Sequence, residues 1–99
     1  MSRAFDDFER RFRANLRRLR AAKGLRQADV QGHGLTPELY RHVEQGNRRP
    51  SFETLFGIAQ VFDVRPTDLV DVEAVDPEVG KIGRGGPRYR GQQAGRGRS

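Results

Sequence analysis

Residues Pro37 to Gln45 are bracketed by a start signal and a stop signal, and the segment between them is too short to stand alone. Thr36 suits the N-cap, Pro37 the first helical position, and Gly46 the left-handed residue that ends a helix. An isolated helix of about nine residues is unstable in water. Such a helix exists only if one side of it is buried against other elements, and its other side is then free for use. At 100° per residue Leu39, Tyr40 and Val43 fall on one side, and Glu38, Arg41, His42 and Gln45 on the other.

The supporting elements are also helical. Phe5, Phe8, Phe12, Leu16 and Leu19 recur at spacings of 3, 4, 4 and 3, which predicts a helix over 4–23 with a single apolar stripe. Arg10, Arg13, Arg17 and Arg20 follow the same period on another face, and Gly24 is a ready C-cap. A weaker helix is expected at 26–31, with Ala28 and Val30 as its apolar residues, before Gly32 and Gly34 break it. Ser51 caps a further helix, whose residues Phe52, Leu55, Phe56, Ala59 and Phe62 are expected to face the core. Gly57 inside it costs about 1 kcal/mol relative to alanine. A short helix starts at Pro66 and includes Leu69 and Val70. The stretch VDVEAVDPEV alternates apolar and acidic residues, as an edge strand or an extended arm does.

Composition limits what this bundle can be. Apolar residues make up 34% and charged residues 32%, so a core can be built over only about two-thirds of the chain. The absence of cysteine excludes disulfides and thiolate metal sites. No apolar run is long enough to span a membrane, and MSRAFDDFERRF lacks the apolar stretch of a secretion signal, so a cytoplasmic, nucleoid-associated location is expected. The charge is unevenly placed. Residues 1–26 carry nine basic and three acidic groups, residues 27–79 four and ten, and residues 80–99 six and none, so the tail holds the whole excess of +6. Arginine supplies 17 of the 19 cations, the side chain better suited to forked contacts with phosphate.

A helix of about 10–12 Å diameter that presents a row of hydrogen-bonding side chains fits the major groove of B-DNA. On spacing alone, the same row is also what any wet helical surface looks like. The surroundings decide between the two. Gly24-Leu25, Gln27, Val30, Gly34-Leu35, Thr36, Val43-Glu44, Gly46, Arg48, Pro50-Ser51, Glu53-Thr54-Leu55, Ile58-Ala59, Val64 and Leu69 together resemble the Xre/Cro-type helix-turn-helix family over residues 12–70. The resemblance implies an all-α, compact five-helix bundle of the lambda-repressor-like kind, in which the helix at 37–45 enters the major groove. Together with the alternation at 71–79 and the glycine- and arginine-rich composition at 80–99, this divides the chain into a helix-turn-helix domain at 1–70, an acidic extended arm at 71–79 and a disordered Gly/Arg-rich tail at 80–99.

Carried over residue by residue, the resemblance implies that Glu38, Arg41 and His42 read bases, with Pro37 beside them. Arg26, Gln27, Thr36, Leu39, Arg48 and Arg49 would lie on the DNA backbone. Arg20 and Glu44 would form a structural ion pair. Departures from the family pattern carry expectations of their own. Gln31 replaces the usual alanine, and VQGHG is one residue shorter than the family's spacing, so the helix at 26–31 should be truncated or its turn rebuilt. Pro37 donates no hydrogen bond, and Glu38 repels phosphate unless it accepts from a cytosine amino group, which shifts specificity toward Arg41 and His42.

The tail supports several readings. It is a solvated end, an electrostatic arm, or a segment that folds back on the acidic stretch 68–78. As an arm, Arg84, Arg88, Tyr89, Arg90, Arg96 and Arg98 would add non-specific affinity for DNA, or stack on unpaired RNA bases. Phe5 and Phe8 lengthen the first helix by about two turns beyond the family's start, and they either pack on Val70, Val72 and Val75 or form a subunit interface. The expected partner is double-stranded DNA bound by a homodimer. Two alternatives stand beside this regulator: an antitoxin-like or adaptor module that binds a protein, and a coating protein that prefers RNA. No paired carboxylate, activated nucleophile or Gly-rich phosphate loop is present, and His33 and His42 have no ligand-spaced companions, so neither catalysis, a cofactor nor a metal is expected.

Overall fold

A computed structural model describes residues 3–77. Four α-helices, α1 (Arg3–Ala22), α2 (Pro37–Gln45), α3 (Phe52–Phe62) and α4 (Pro66–Val70), enclose one core, with a single 3₁₀ turn at Gln27–Asp29. The expectation of five helices is thereby corrected: the second is reduced to three residues. Its cause is local. After Val30 the backbone takes positive φ at Gly32 (115°), His33 (54°) and Gly34 (81°), values no α-helix contains. Gly32 and Leu35 exchange both backbone hydrogen bonds at 2.9 Å, and this makes a two-residue hairpin turn with His33 and Gly34 at its tip.

Helix ends follow the local chemistry. Thr36 Oγ1 accepts the Leu39 N–H at 3.1 Å, and Gly46 at φ +84° closes α2 while the Asn47 N–H returns to His42 O at 2.9 Å. Ser51 Oγ caps α3 through the Thr54 N–H at 3.1 Å. Asp63, at φ +57°, ends it.

Phe12, Leu16, Val30, Leu35, Tyr40, Val43, Ile58, Ala59, Phe62 and Leu69 form the core, with the Tyr40 and Phe62 rings edge-to-face at 5.8 Å. Each large side chain fully buried there contributes about 1.5–3 kcal/mol. Val30 is fully buried and so anchors the rebuilt segment, whereas Ala28 is exposed. Gly57 lies where α3 meets the hairpin turn: a Cβ there would come within 3.0 Å of the His33 carbonyl oxygen. Close approach of two backbones explains a glycine that helix propensity disfavours.

One expectation for the second half is overturned. Phe52 and Phe56 do not face the core; they are 91% and 54% exposed. Residues 71–77 form no strand. They run irregularly back along α1, and Val72 and Val75 bury against Ala14. Arg11 Nη1 donates to Val75 O at 2.6 Å and to Glu73 O at 3.2 Å, while the buried Asn15 amide donates to Asp68 O and Leu69 O. Polar side chains on α1 thus hold the returning backbone.

Candidate nucleic-acid interface

Helix α2 is fixed on three sides. Tyr40 and Val43 are buried and Leu39 is packed on the core's edge. Glu44, only 4% exposed, accepts from four donors: Arg20 Nε (2.8 Å) and Nη2 (3.1 Å), Gln27 Nε2 (2.6 Å) and the Tyr40 hydroxyl. Arg20 Nη1 also donates to Leu25 O at 3.0 Å. One carboxylate therefore ties α2 to α1 and to the 3₁₀ turn. Burial alone would raise the Glu44 pKa, but the hydrogen bonds from Arg20, Tyr40 and Gln27 outweigh it and hold the carboxyl below its ordinary value. Burial and the neighbouring carboxylate push the Tyr40 phenol far above its ordinary value, so it stays a donor.

Away from the core, Glu38 and Gln45 are exposed, and Arg41 and His42 are half-buried. Arg41 has no hydrogen-bond or ionic partner among the described residues, and the His42 ring approaches only the Asn47 amide, at 3.4 Å. Past the C-cap, Arg48 is exposed and unpaired among the described residues. Arg49 is bound by Glu9 at 2.7 Å and lies over the Phe5 ring at 5.1 Å. Its guanidinium pKa is raised, the Glu9 hydrogen bond being the main cause.

A family model for the helix-turn-helix matches residues 16–69, more than half of the chain. The chain belongs to the Xre-type helix-turn-helix family. It is also similar to an uncharacterized HTH-type transcriptional regulator, y4dJ of Sinorhizobium fredii, at 36% identity over 58 residues, which span 58% of this chain and 75% of that one. No solved structure gives a significant match. Among the described residues, no helix is long and apolar enough to cross a membrane.

Within this helix-turn-helix frame several expected contact residues are already engaged. One N–H of the Gln27 side-chain amide is donated to Glu44. The Arg26 guanidinium is paired with Asp29 at 3.1 Å. The Thr36 hydroxyl and the Leu39 N–H bond each other in the α2 cap. Arg84, Arg88, Tyr89, Arg90, Arg96 and Arg98 lie outside the described residues. One residue the sequence reading did not single out comes beside the site. Arg13 of α1 packs its guanidinium against Gly46, with Nε 3.0 Å from where a Cβ would stand. The signal was the arginine period along α1; what hid it was the 33-residue separation from Gly46.

Proposed function

We propose that the protein is a sequence-specific DNA-binding transcriptional regulator whose helix α2 enters the major groove. A single feature carries the reading: α2 is capped at both ends and locked by Glu44, yet leaves Glu38, Arg41 and His42 pointing away from the core. Side chains that read base edges have to be held in register, and a free nine-residue helix could not hold them. Arg41 and His42 supply the donors, and Glu38 accepts from cytosine. Arg48 and Arg49 hold phosphate, with the backbone near Arg26, Gln27, Thr36 and Leu39 against the same strand. The basic tail adds affinity without sequence preference. Band shifts on genomic fragments test this: a preferred fragment should survive competition by bulk DNA, and uniform binding to all fragments would contradict it.

The family membership and the likeness to a transcriptional regulator support this function over the coating reading. A protein contact is favoured by a separate observation. Phe52, Phe56, Phe8 and Val70 are exposed. From ordinary side-chain areas these four residues offer about 400 Å², roughly half of what one partner contributes to a standard interface. A second copy of the chain is the partner we assign, because a two-fold dimer presents two α2 helices to successive turns of the groove.

A further inference from the structure

Three arginines converge behind the end of α2. Arg13 comes from α1, and Arg48 and Arg49 follow the C-cap; together with Glu9, Phe12, Val43, Gly46 and Pro50 they line a small cleft of about 30 Å³. That space is too small for a base and wide enough for anionic oxygens, since one water needs about 10–15 Å³. Three arginines and a single glutamate line it, and Glu9 is paired with Arg49. Arg13 and Arg48 have no ionic partner among the described residues, so the cleft keeps an excess of positive charge. Glycine at position 46 contributes twice: it permits φ +84°, and its missing side chain admits the Arg13 guanidinium.

Arg49 is constrained in a particular way. Glu9 accepts from its Nε at 2.7 Å, and the guanidinium carbon lies 5.1 Å from the centre of the Phe5 ring, while the side chain remains 61% exposed. The two terminal amino groups take no part in the Glu9 hydrogen bond and remain available as donors. Phe5, Glu9 and Arg13 all precede residue 16, where the family match begins.

We propose that Arg13, Arg48 and Arg49 form one binding site for a phosphate of the nucleic-acid backbone, and that Phe5 and Glu9 of the α1 extension are positioning residues for Arg49. This rests on the DNA-binding reading above and adds a phosphate contact from α1 to it. Arg13 is the added ligand. The site clamps the strand next to the groove that α2 enters, so the extension of α1 serves binding and not only packing.

Fluorescence anisotropy with a short mixed-sequence DNA duplex across a salt series tests the proposal on the full chain. Arg13→Gln should weaken binding by roughly 3- to 10-fold and lower the salt slope by about 0.9, the loss of one phosphate contact. Arg13→Lys should keep the slope, which a purely structural role of Arg13 would not require. Phe5→Leu should weaken binding about 2- to 5-fold in the native background and have no further effect when combined with Arg49→Gln. An unchanged affinity and slope in Arg13→Gln would overturn the site while leaving the regulator reading intact. A Phe5→Leu loss that persists without Arg49 would overturn the positioning role. Failure of the native protein to bind any duplex at low salt would remove the DNA-binding reading and this site with it.

Discussion

Arg20 and Glu44 face each other across the α1–α2 contact through two hydrogen bonds, of 2.8 and 3.1 Å, although 24 positions separate them in sequence. The pair is buried on the carboxylate side, where an unpaired charge is expensive. Its strength is therefore a property of both partners, and removing one exposes the cost of the other.

Arg20→Ala should destabilise the fold by about 3–5 kcal/mol, read as a lower urea midpoint with unchanged slope. The acid limb carries a sign. Glu44 has a folded-state pKa below its ordinary 4.5, so its contribution is complete above that value and is lost as pH falls through the lower, folded pKa. In Arg20→Ala the same carboxyl is buried with fewer donors, its pKa rises, and acid unfolding should begin at higher pH. Identical acid limbs in the two proteins would contradict the assignment.

Gly57→Ala separates helix propensity from packing. Propensity alone predicts a gain of about 1 kcal/mol. The new methyl group would meet the His33 carbonyl oxygen at 3.0 Å, a backbone atom in a tight turn with two positive φ values. We expect a net loss of about 1 kcal/mol and shifted amide resonances at His33 and Gly34. A higher melting temperature without those shifts would show the contact to be slack.

How much of this was legible in the sequence differs from element to element. Helix α2 could be read to the residue because Thr36, Pro37 and Gly46 carry their chemistry locally. The 26–31 segment could not, because a weak apolar pair gives no period, and the run from Gly32 to Gly34 decides the backbone by φ rather than by hydrophobicity. Phe52 and Phe56 share the helical stripe of Leu55, Ala59 and Phe62. Periodicity finds the stripe but not its edge: Leu55, Ala59 and Phe62 pack on the core, while Phe52 and Phe56 stand outside it. In VDVEAVDPEV the alternation left an edge strand and an extended arm both open, because the contacts with Arg11 and Ala14 of α1 that hold this segment lie far away in sequence. The candidate site was half visible: the resemblance pointed to Arg48 and Arg49 as phosphate ligands, whereas Arg13, Phe5 and Glu9 come beside them only through folding.

Replacing Phe52 and Phe56 together by serine should shift the native chain from dimer to monomer in sedimentation equilibrium while raising its solubility. Both side chains lie largely in solvent in the single chain, so stability should change by less than about 1 kcal/mol. A native protein that is monomeric at high concentration would remove the second copy as the occupant of this face.

Deleting residues 80–99 takes away six basic and no acidic residues. The truncated chain should keep its preferred DNA site and lose affinity and salt slope together, each lost phosphate contact lowering the slope by about 0.9. Loss of nearly all binding, with RNA preferred by the full chain, would favour the coating reading.

Selection of bound sequences from a random DNA pool, run in parallel on the native protein and on Arg41→Ala with His42→Ala, tests the central claim most directly. The account predicts a definite recovered motif for the native protein and a blurred motif for the variant, with residual affinity carried by phosphate contacts. The same motif recovered with both proteins would mean that α2 does not read the bases.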